Sequence, residues 1–165
     1  MTVGEHDVVA YTDGGCRGNP GPGGWGFLVF NPVTGHALER CGGERETTNN
    51  RMEMLAAIMA LRSLKQDGTR ILLHSDSQYL IKTMSEWLPG WKARGWKRKE
   101  GELKNVDLLK DLDALNQRFR VTWRWVKGHA GDPGNEHADG LTNRAMDAVQ
   151  AGRDDTYEGR LTWSR

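Results

Sequence analysis

The chain has 165 residues, 37% hydrophobic and 27% charged, which suits one soluble domain with a single sizeable core. A net charge of +1 excludes attraction to a polyanion through overall charge, so a nucleic-acid partner would have to be met by a local patch. No apolar run approaches the ~18 residues of a membrane span, and the chain opens without a basic-then-apolar leader, so a cytoplasmic protein is expected. Cys16 and Cys41 lack metal-binding or redox spacing and read as free thiols.

Val8 to Tyr11 favours an extended chain, and Gly14-Gly15 follows at once, so the reading places Asp13 at the C-terminal end of a first strand. Trp25 to Phe30 reads as a second strand and His36 to Glu46 as a weaker third, with a Pro/Gly turn at Asn31-Pro32-Val33-Thr34-Gly35 between them. Short loops make these three an antiparallel meander. At Thr47-Thr48-Asn49-Asn50 the period changes. Asn50 with Glu53 fits a capping pattern, Thr48 is the alternative cap, and Met52, Leu55, Ala56 and Met59 recur at helical spacing as far as about Leu64. Ile71-Leu72-Leu73 is a short buried strand ending at Ser75-Asp76, and the strand–helix–strand order implies a right-handed crossover and a parallel neighbour.

Gln78 to Leu88 reads as a helix stopped by Pro89-Gly90, and Asn105 to Phe119 as another. Val121 to Val126 alternates and reads as the last strand. A glycine-rich loop around His129 leads to a final helix from Asn135 that carries Asp139 in its first turns. From Gly152 on, polar and charged residues dominate and suggest a poorly ordered tail. The expected organisation is one domain over residues 1–151 with a flexible tail over 152–165.

Asp13, Glu53, Asp76 and Asp139 all fall at the edges of predicted elements. Parallel neighbours would bring the ends of the first and fourth strands together, where open α/β sheets place their sites. Gathered carboxylates repel unless a cation neutralises them. Hard oxygen ligands without His or Cys clusters point to Mg²⁺ or Mn²⁺ rather than zinc. Two such ions can clamp a phosphodiester for in-line displacement. Singly, each acid has a plainer reading as a cap or a surface charge.

Five motifs then carry a resemblance: Thr12-Asp13-Gly14, Gly18-Asn19-Pro20-Gly21-Pro22-Gly23-Gly24, Thr47-Thr48-Asn49-Asn50-Arg51-Met52-Glu53, Asp76-Ser77-Gln78-Tyr79 and Trp125-Val126-Lys127-Gly128-His129, with Asn135-Glu136 and Asp139 after them. In this order and spacing they resemble bacterial ribonuclease H type 1 over about residues 7–147. The resemblance implies an α/β ribonuclease H-like fold with a five-stranded mixed sheet, antiparallel meander then parallel strands, flanked by helices. It implies an endonuclease hydrolysing the RNA strand of RNA–DNA hybrids to 5′-phosphate and 3′-hydroxyl ends. Asp13, Glu53, Asp76 and Asp139 take the metal-holding places, with two ions in the substrate complex, and His129 takes that of a loop histidine aiding proton transfer or product release.

Recognition of a hybrid needs groups that meet the RNA 2′-hydroxyl, which donates and accepts. Asn19, Asn49, Asn50 and Gln78 flank the acids and offer both roles. Thr48 matches a position that binds a DNA-strand phosphate in relatives. Lys92, Arg94, Lys97, Arg98 and Lys99, interleaved with Trp87, Trp91 and Trp96, resemble the basic protrusion of the bacterial enzymes, about residues 87–101. Phosphate and sugar contact is the functional reading for these, core anchoring the plainer one for Trp91 and Trp96. Gly15 replaces a common Ser, and Phe30 stands where some relatives carry a basic residue near the DNA phosphate pocket. The expected protein is a monomer without an obligate protein partner or membrane contact. The rival readings are a related nuclease or integrase acting on DNA, and a non-catalytic hybrid-binding module.

Overall fold

The computed structural model describes residues 5–164. A six-stranded mixed sheet runs in the order β5-β4-β1-β2-β3-β6. Its strands are β1 (Val8–Cys16), β2 (Gly21–Phe30), β3 (His36–Thr47), β4 (Arg70–Ser75), β5 (Arg120–Trp125) and β6 (Tyr157–Thr162). β1, β2, β3 and β6 pair antiparallel in succession. β4 joins β1, and β5 joins β4, in parallel. The meander and the parallel crossover are therefore as expected.

The helices are α1 (Asn49–Arg62), α2 (Gln78–Lys82), α3 (Leu88–Ala93), α4 (Val106–Arg118) and α5 (Pro133–Gln150). Thr48 caps α1, its hydroxyl accepting from Arg51 N at 3.3 Å, so Asn50 lies inside the helix and is not its cap. Ile58, Leu61 and Met54 of α1 pack with Leu109 and Leu112 of α4 against Ala10, Phe27 and Leu73, forming the main core on one face of the sheet. On the other face Val9, Tyr11, Leu28 and Phe30 meet Ala138 of α5.

The structure corrects the sequence reading in three places. β1 continues through Gly14-Gly15, and β2 begins at Gly21 rather than Trp25. Close packing uses these glycines: Gly14 lies against the α1 backbone, and Gly24 and Gly26 of β2 lie under α5, where a Cβ at Gly26 would meet Leu141 Cβ at 2.7 Å. Pro89 does not stop a helix. A π-helical turn over Thr83–Trp87 follows α2, and Pro89 sits in the first turn of α3, where no helical N–H is needed.

The third correction is the tail. Residues 157–162 form β6, raising the strand count from five to six. Tyr157, Gly159 and Leu161 face inward, and Glu158, Arg160 and Thr162 outward. The period-2 pattern was present but masked by polar composition. Tyr157 OH donates to Glu39 Oε2 at 2.7 Å, the Arg144 guanidinium lies 3.6 Å from the Tyr157 ring centroid, and Trp163 packs on Phe30. Phe30 itself pairs with Val9, towards the opposite end of β1 from Asp13.

Candidate active site

The β1–β4 register ends at Thr12 opposite Ser75, so Asp13 and Asp76 are the next residues on two adjacent parallel strands. Glu53 arrives from α1, in its second turn rather than the first turn after the Thr48 cap. Gly14 permits this approach, since a Cβ there would meet the Met52 carbonyl carbon at 2.3 Å and Glu53 N at 2.5 Å. One carboxylate oxygen each from Asp13, Glu53 and Asp76 lies within 4.8 Å of the others.

Two of these acids are buried, Asp13 at 5% exposure and Glu53 at 8%. Burial first, then Asp76, push the Asp13 pKa up to about 7 against a pull from the Thr142 side chain, with a smaller push from Asp139 and a smaller pull from the Gly14 N–H. Burial first, then Asp13 and Asp76, hold Glu53 well above the usual carboxylate range. Glu53 Oε1 is buried without a hydrogen-bond partner. A buried, unpaired carboxylate oxygen among other acids is what a cation would satisfy, so this donor set fits a hard divalent metal.

Asp139 is placed differently from the other three. It sits in the second turn of α5, outside the three-acid group, though near enough to raise the Asp13 pKa. Its Oδ2 accepts from Asn143 Nδ2 at 3.3 Å. Asp76 is held by residues to which the sequence reading gave no role. Buried Asn135 donates to Asp76 Oδ2 at 3.4 Å, and Trp125 Nε1 donates to the Asp76 carbonyl at 3.2 Å. The motif match had included Asn135 and Trp125; the spacing of Asn135, Asp139 and Asn143 along α5 was the available signal. His129 is exposed in the loop before α5, with φ of +57°. Its neighbour Gly128 lies against Asp76, where a Cβ would come 2.8 Å from Oδ2.

The amides gather beside the acids. Asn49 Oδ1 accepts from Cys16 N at 2.8 Å, and Asn19 Oδ1 accepts from Asn49 N at 3.3 Å. Their carbonyl oxygens thus tie the loop after β1 to the start of α1, and their NH₂ groups make no hydrogen bond among the described residues. Asn50 and Gln78 are exposed nearby. A groove of about 530 Å³ continues from there, lined by Asn50, Tyr79, Trp87, Trp91, Arg98 and Asn105 among others. Trp87 stands 38% exposed on its wall. Trp91 and Trp96 are partly buried against the main core, so both anchor the segment. Lys92 bonds Asp113 of α4 at 3.0 Å, which leaves Arg94, Lys97, Arg98 and Lys99 as its outward cations.

A family model described as RNase H matches residues 5–147. The chain belongs to the ribonuclease H family. Ribonuclease H of Pseudomonas putida strain W619 is 54% identical over 147 residues, 88% of this chain and 97% of that protein. A Bordetella pertussis Ribonuclease H is 53% identical over 144 residues, 87% of this chain and 91% of that protein. Among solved structures, LC9-RNase H1, a type 1 RNase H with the type 2 active-site motif, superposes with a TM-score of 0.78 at 34% identity, covering 95% of this chain and 77% of that one. LC11-RNase H1, solved in complex with RNA/DNA hybrid, gives 0.64 at 26% identity, covering 87% and 99%. A ribonuclease H fold thus surrounds the acid cluster, and β6 lies beyond the span that the family model matches.

Proposed function

We infer that this protein is an endonuclease hydrolysing the RNA strand of RNA–DNA hybrids, through in-line attack of water that leaves 5′-phosphate and 3′-hydroxyl ends. The observation that carries the reading is the convergence of Asp13, Glu53 and Asp76, with Glu53 Oε1 buried and unpaired, beside a groove lined by amides, Trp87 and Arg98. Asp13, Glu53 and Asp76 would hold Mg²⁺ or Mn²⁺, with Asp139 completing the set, and a second ion would join with substrate. Bound there, divalent metal supplies an activated water and neutralises charge developing on the scissile phosphate.

The protein's own groups supply the rest. Asn135 and the Trp125 indole fix Asp76 in place. The outward NH₂ groups of Asn19 and Asn49, with Asn50 and Gln78, meet the 2′-hydroxyls and bases of the RNA strand. The Thr48 hydroxyl proton and the Asn50 N–H at the start of α1 face a DNA-strand phosphate. Arg94, Lys97, Arg98 and Lys99 follow phosphates further along, and Trp87 packs on a sugar. His129, on the loop that touches Asp76, exchanges a proton with the departing 3′-oxygen or eases product release.

The testing experiment presents matched RNA–DNA hybrid, DNA duplex and RNA duplex to the protein with Mg²⁺ and with EDTA. Hybrid-only, Mg²⁺-dependent cutting of the RNA strand is expected. Cutting of DNA alone would favour a DNA nuclease of related fold, and hybrid binding without cutting a binding module. Among the described residues no helix is long and apolar enough to cross a membrane. A cytoplasmic monomer remains the proposal, checked by light scattering on the purified chain.

A further inference from the structure

Asp139, Asn143 and Asp147 recur every four residues along α5 and so share one stripe of its surface. Arg17, in the loop between β1 and β2, reaches across to that stripe. Its Nη1 donates to Asp147 Oδ1 at 2.6 Å and to Gln150 Oε1, and its Nη2 donates to Asn143 Oδ1 at 3.3 Å. Asn143 Nδ2 in turn donates to the Asp139 carbonyl at 3.1 Å and to Asp139 Oδ2 at 3.3 Å. Only one orientation of the Asn143 amide satisfies these partners. Turned over, its oxygen would face two acceptors and its NH₂ a guanidinium.

We propose that Arg17 and Asn143 are positioning residues that hold the Asp139 carboxylate in the rotamer from which it joins the metal-binding acids. This rests on the metal-dependent reading given above. Of the four acids, Asp139 is the one outside the tight group, so its contribution depends most on orientation. It comes from a helix whose other contacts are to the far face of the sheet. The loop bearing Arg17 also bears Asn19, which bonds the start of α1 near Glu53. Movement of that loop on RNA binding is thereby transmitted to Asp139, linking strand recognition to completion of the metal site. Partners that orient a ligating carboxylate affect metal affinity or activity by about 10–100-fold. The bond from Arg17 to Asp147 is a separate, exposed ion pair, of the kind worth ~0–1 kcal/mol.

The test compares wild type, Asn143→Ala, Arg17→Ala, Arg17→Lys, Asp147→Ala and Asp139→Asn. Mn²⁺ binding to the substrate-free protein is read by calorimetry, and the Mg²⁺ concentration for half-maximal single-turnover cleavage is read alongside. Asn143→Ala and Arg17→Ala are expected to raise the Mn²⁺ dissociation constant and the half-maximal Mg²⁺ concentration by about 10-fold each, with hybrid affinity in EDTA unchanged. Arg17→Lys should recover part of the loss, and Asp147→Ala should leave metal dependence as in wild type. The Arg17→Ala/Asn143→Ala pair should be no worse than Asn143→Ala alone, since the two act in series. If Asp139→Asn weakens metal binding while Asn143→Ala does not, the relay is refuted and the metal reading stands. If Asp139→Asn changes nothing, Asp139 is no ligand and the relay falls, while metal held by Asp13, Glu53 and Asp76 is judged separately by the Mg²⁺ dependence of cleavage.

Discussion

A carboxylate with a pKa near 7 is an unusual thing to find, and Asp13 has one first because it is buried and then because Asp76 and, to a lesser degree, Asp139 lie beside it. Its function requires the ionised form, and the metal-free fold resists ionisation. Asp13→Asn is therefore expected to act in opposite directions on activity and stability. Hybrid cleavage should fall by about 10³-fold or more, the scale of removing metal-assisted charge stabilisation. In EDTA at pH 8 the melting temperature should rise, because the amide removes a charge that burial and Asp76 oppose. One pKa unit is ~1.4 kcal/mol, so a gain on the order of 1–4 kcal/mol is expected. At pH 5, one unit above the ~3.9 of an unfolded chain, the gain should shrink to roughly 1.5 kcal/mol or less, and only below about pH 4 should it nearly vanish. A variant that melts below wild type at pH 8 would mean that the carboxylate is stabilising in the empty site. His129 is a different kind of residue, exposed and poised beside the Gly128–Asp76 contact. His129→Ala should slow turnover by about 10–100-fold without abolishing it, at the low end of the ~10²–10⁴-fold usual for a proton-transfer group because the residue is exposed. A pH–rate profile identical to wild type would make it a bystander.

Among the elements, the π-helical turn and α3 form the arm that carries the outward cations. Trp91 and Trp96 fasten this arm to the core, and Lys92 is spent on Asp113. Neutralising Lys97, Arg98 and Lys99 together should weaken hybrid binding and shrink its log–log salt slope by about 2, as each lost phosphate contact removes ~0.7–0.9. Single-turnover cleavage at saturating enzyme should stay near normal, and an unchanged slope would rule out phosphate contact. β6 has a structural part. Ending the chain at residue 151 removes the Tyr157–Glu39 bond and the Trp163 cover over Phe30, and exposes the β3 edge. A loss of ~2–4 kcal/mol is expected from the apolar area, read as a drop of several degrees in melting temperature. Asp13 and Asp76 were legible in the sequence because each follows an apolar run, although β1 goes on past Asp13 to Cys16 and only Asp76 stands at a strand end. β6 was not, because Glu158, Arg160 and Thr162 hide the alternation of Tyr157, Gly159 and Leu161. The continuation past Pro89 was hidden because a π turn has no sequence period. Asn135 and Asn143 could be seen as helix residues, but their partners depend on how α5 docks, which local pattern does not encode.

Across the whole molecule, the acid cluster ties stability to pH and to metal. Asp13 in the folded, metal-free state titrates near 7, against ~3.9 in an unfolded chain. Between those values the folded state binds more protons than the unfolded one. The stabilisation linked to this group is thus complete below about pH 4 and is lost as pH rises through 7; Glu53, shifted the same way, adds to the trend. Metal-free protein should accordingly melt at lower temperature at pH 8 than at pH 6, once other titrations are cancelled by comparison with Asp13→Asn. Divalent metal reverses the sign, since it binds the ionised carboxylates of the folded state and must displace protons at lower pH. At 100 times its dissociation constant a ligand stabilises by ~2.7 kcal/mol. Mg²⁺ should therefore raise the melting temperature strongly at pH 8 and much less at pH 5, with protons released on binding near pH 6–7. Calorimetry in two buffers of different ionisation enthalpy measures that release. Binding of equal strength at pH 5 and pH 8 with no proton released would show that Asp13 and Glu53 are ionised before the metal arrives, and the account of a strained, empty acid cluster would fail.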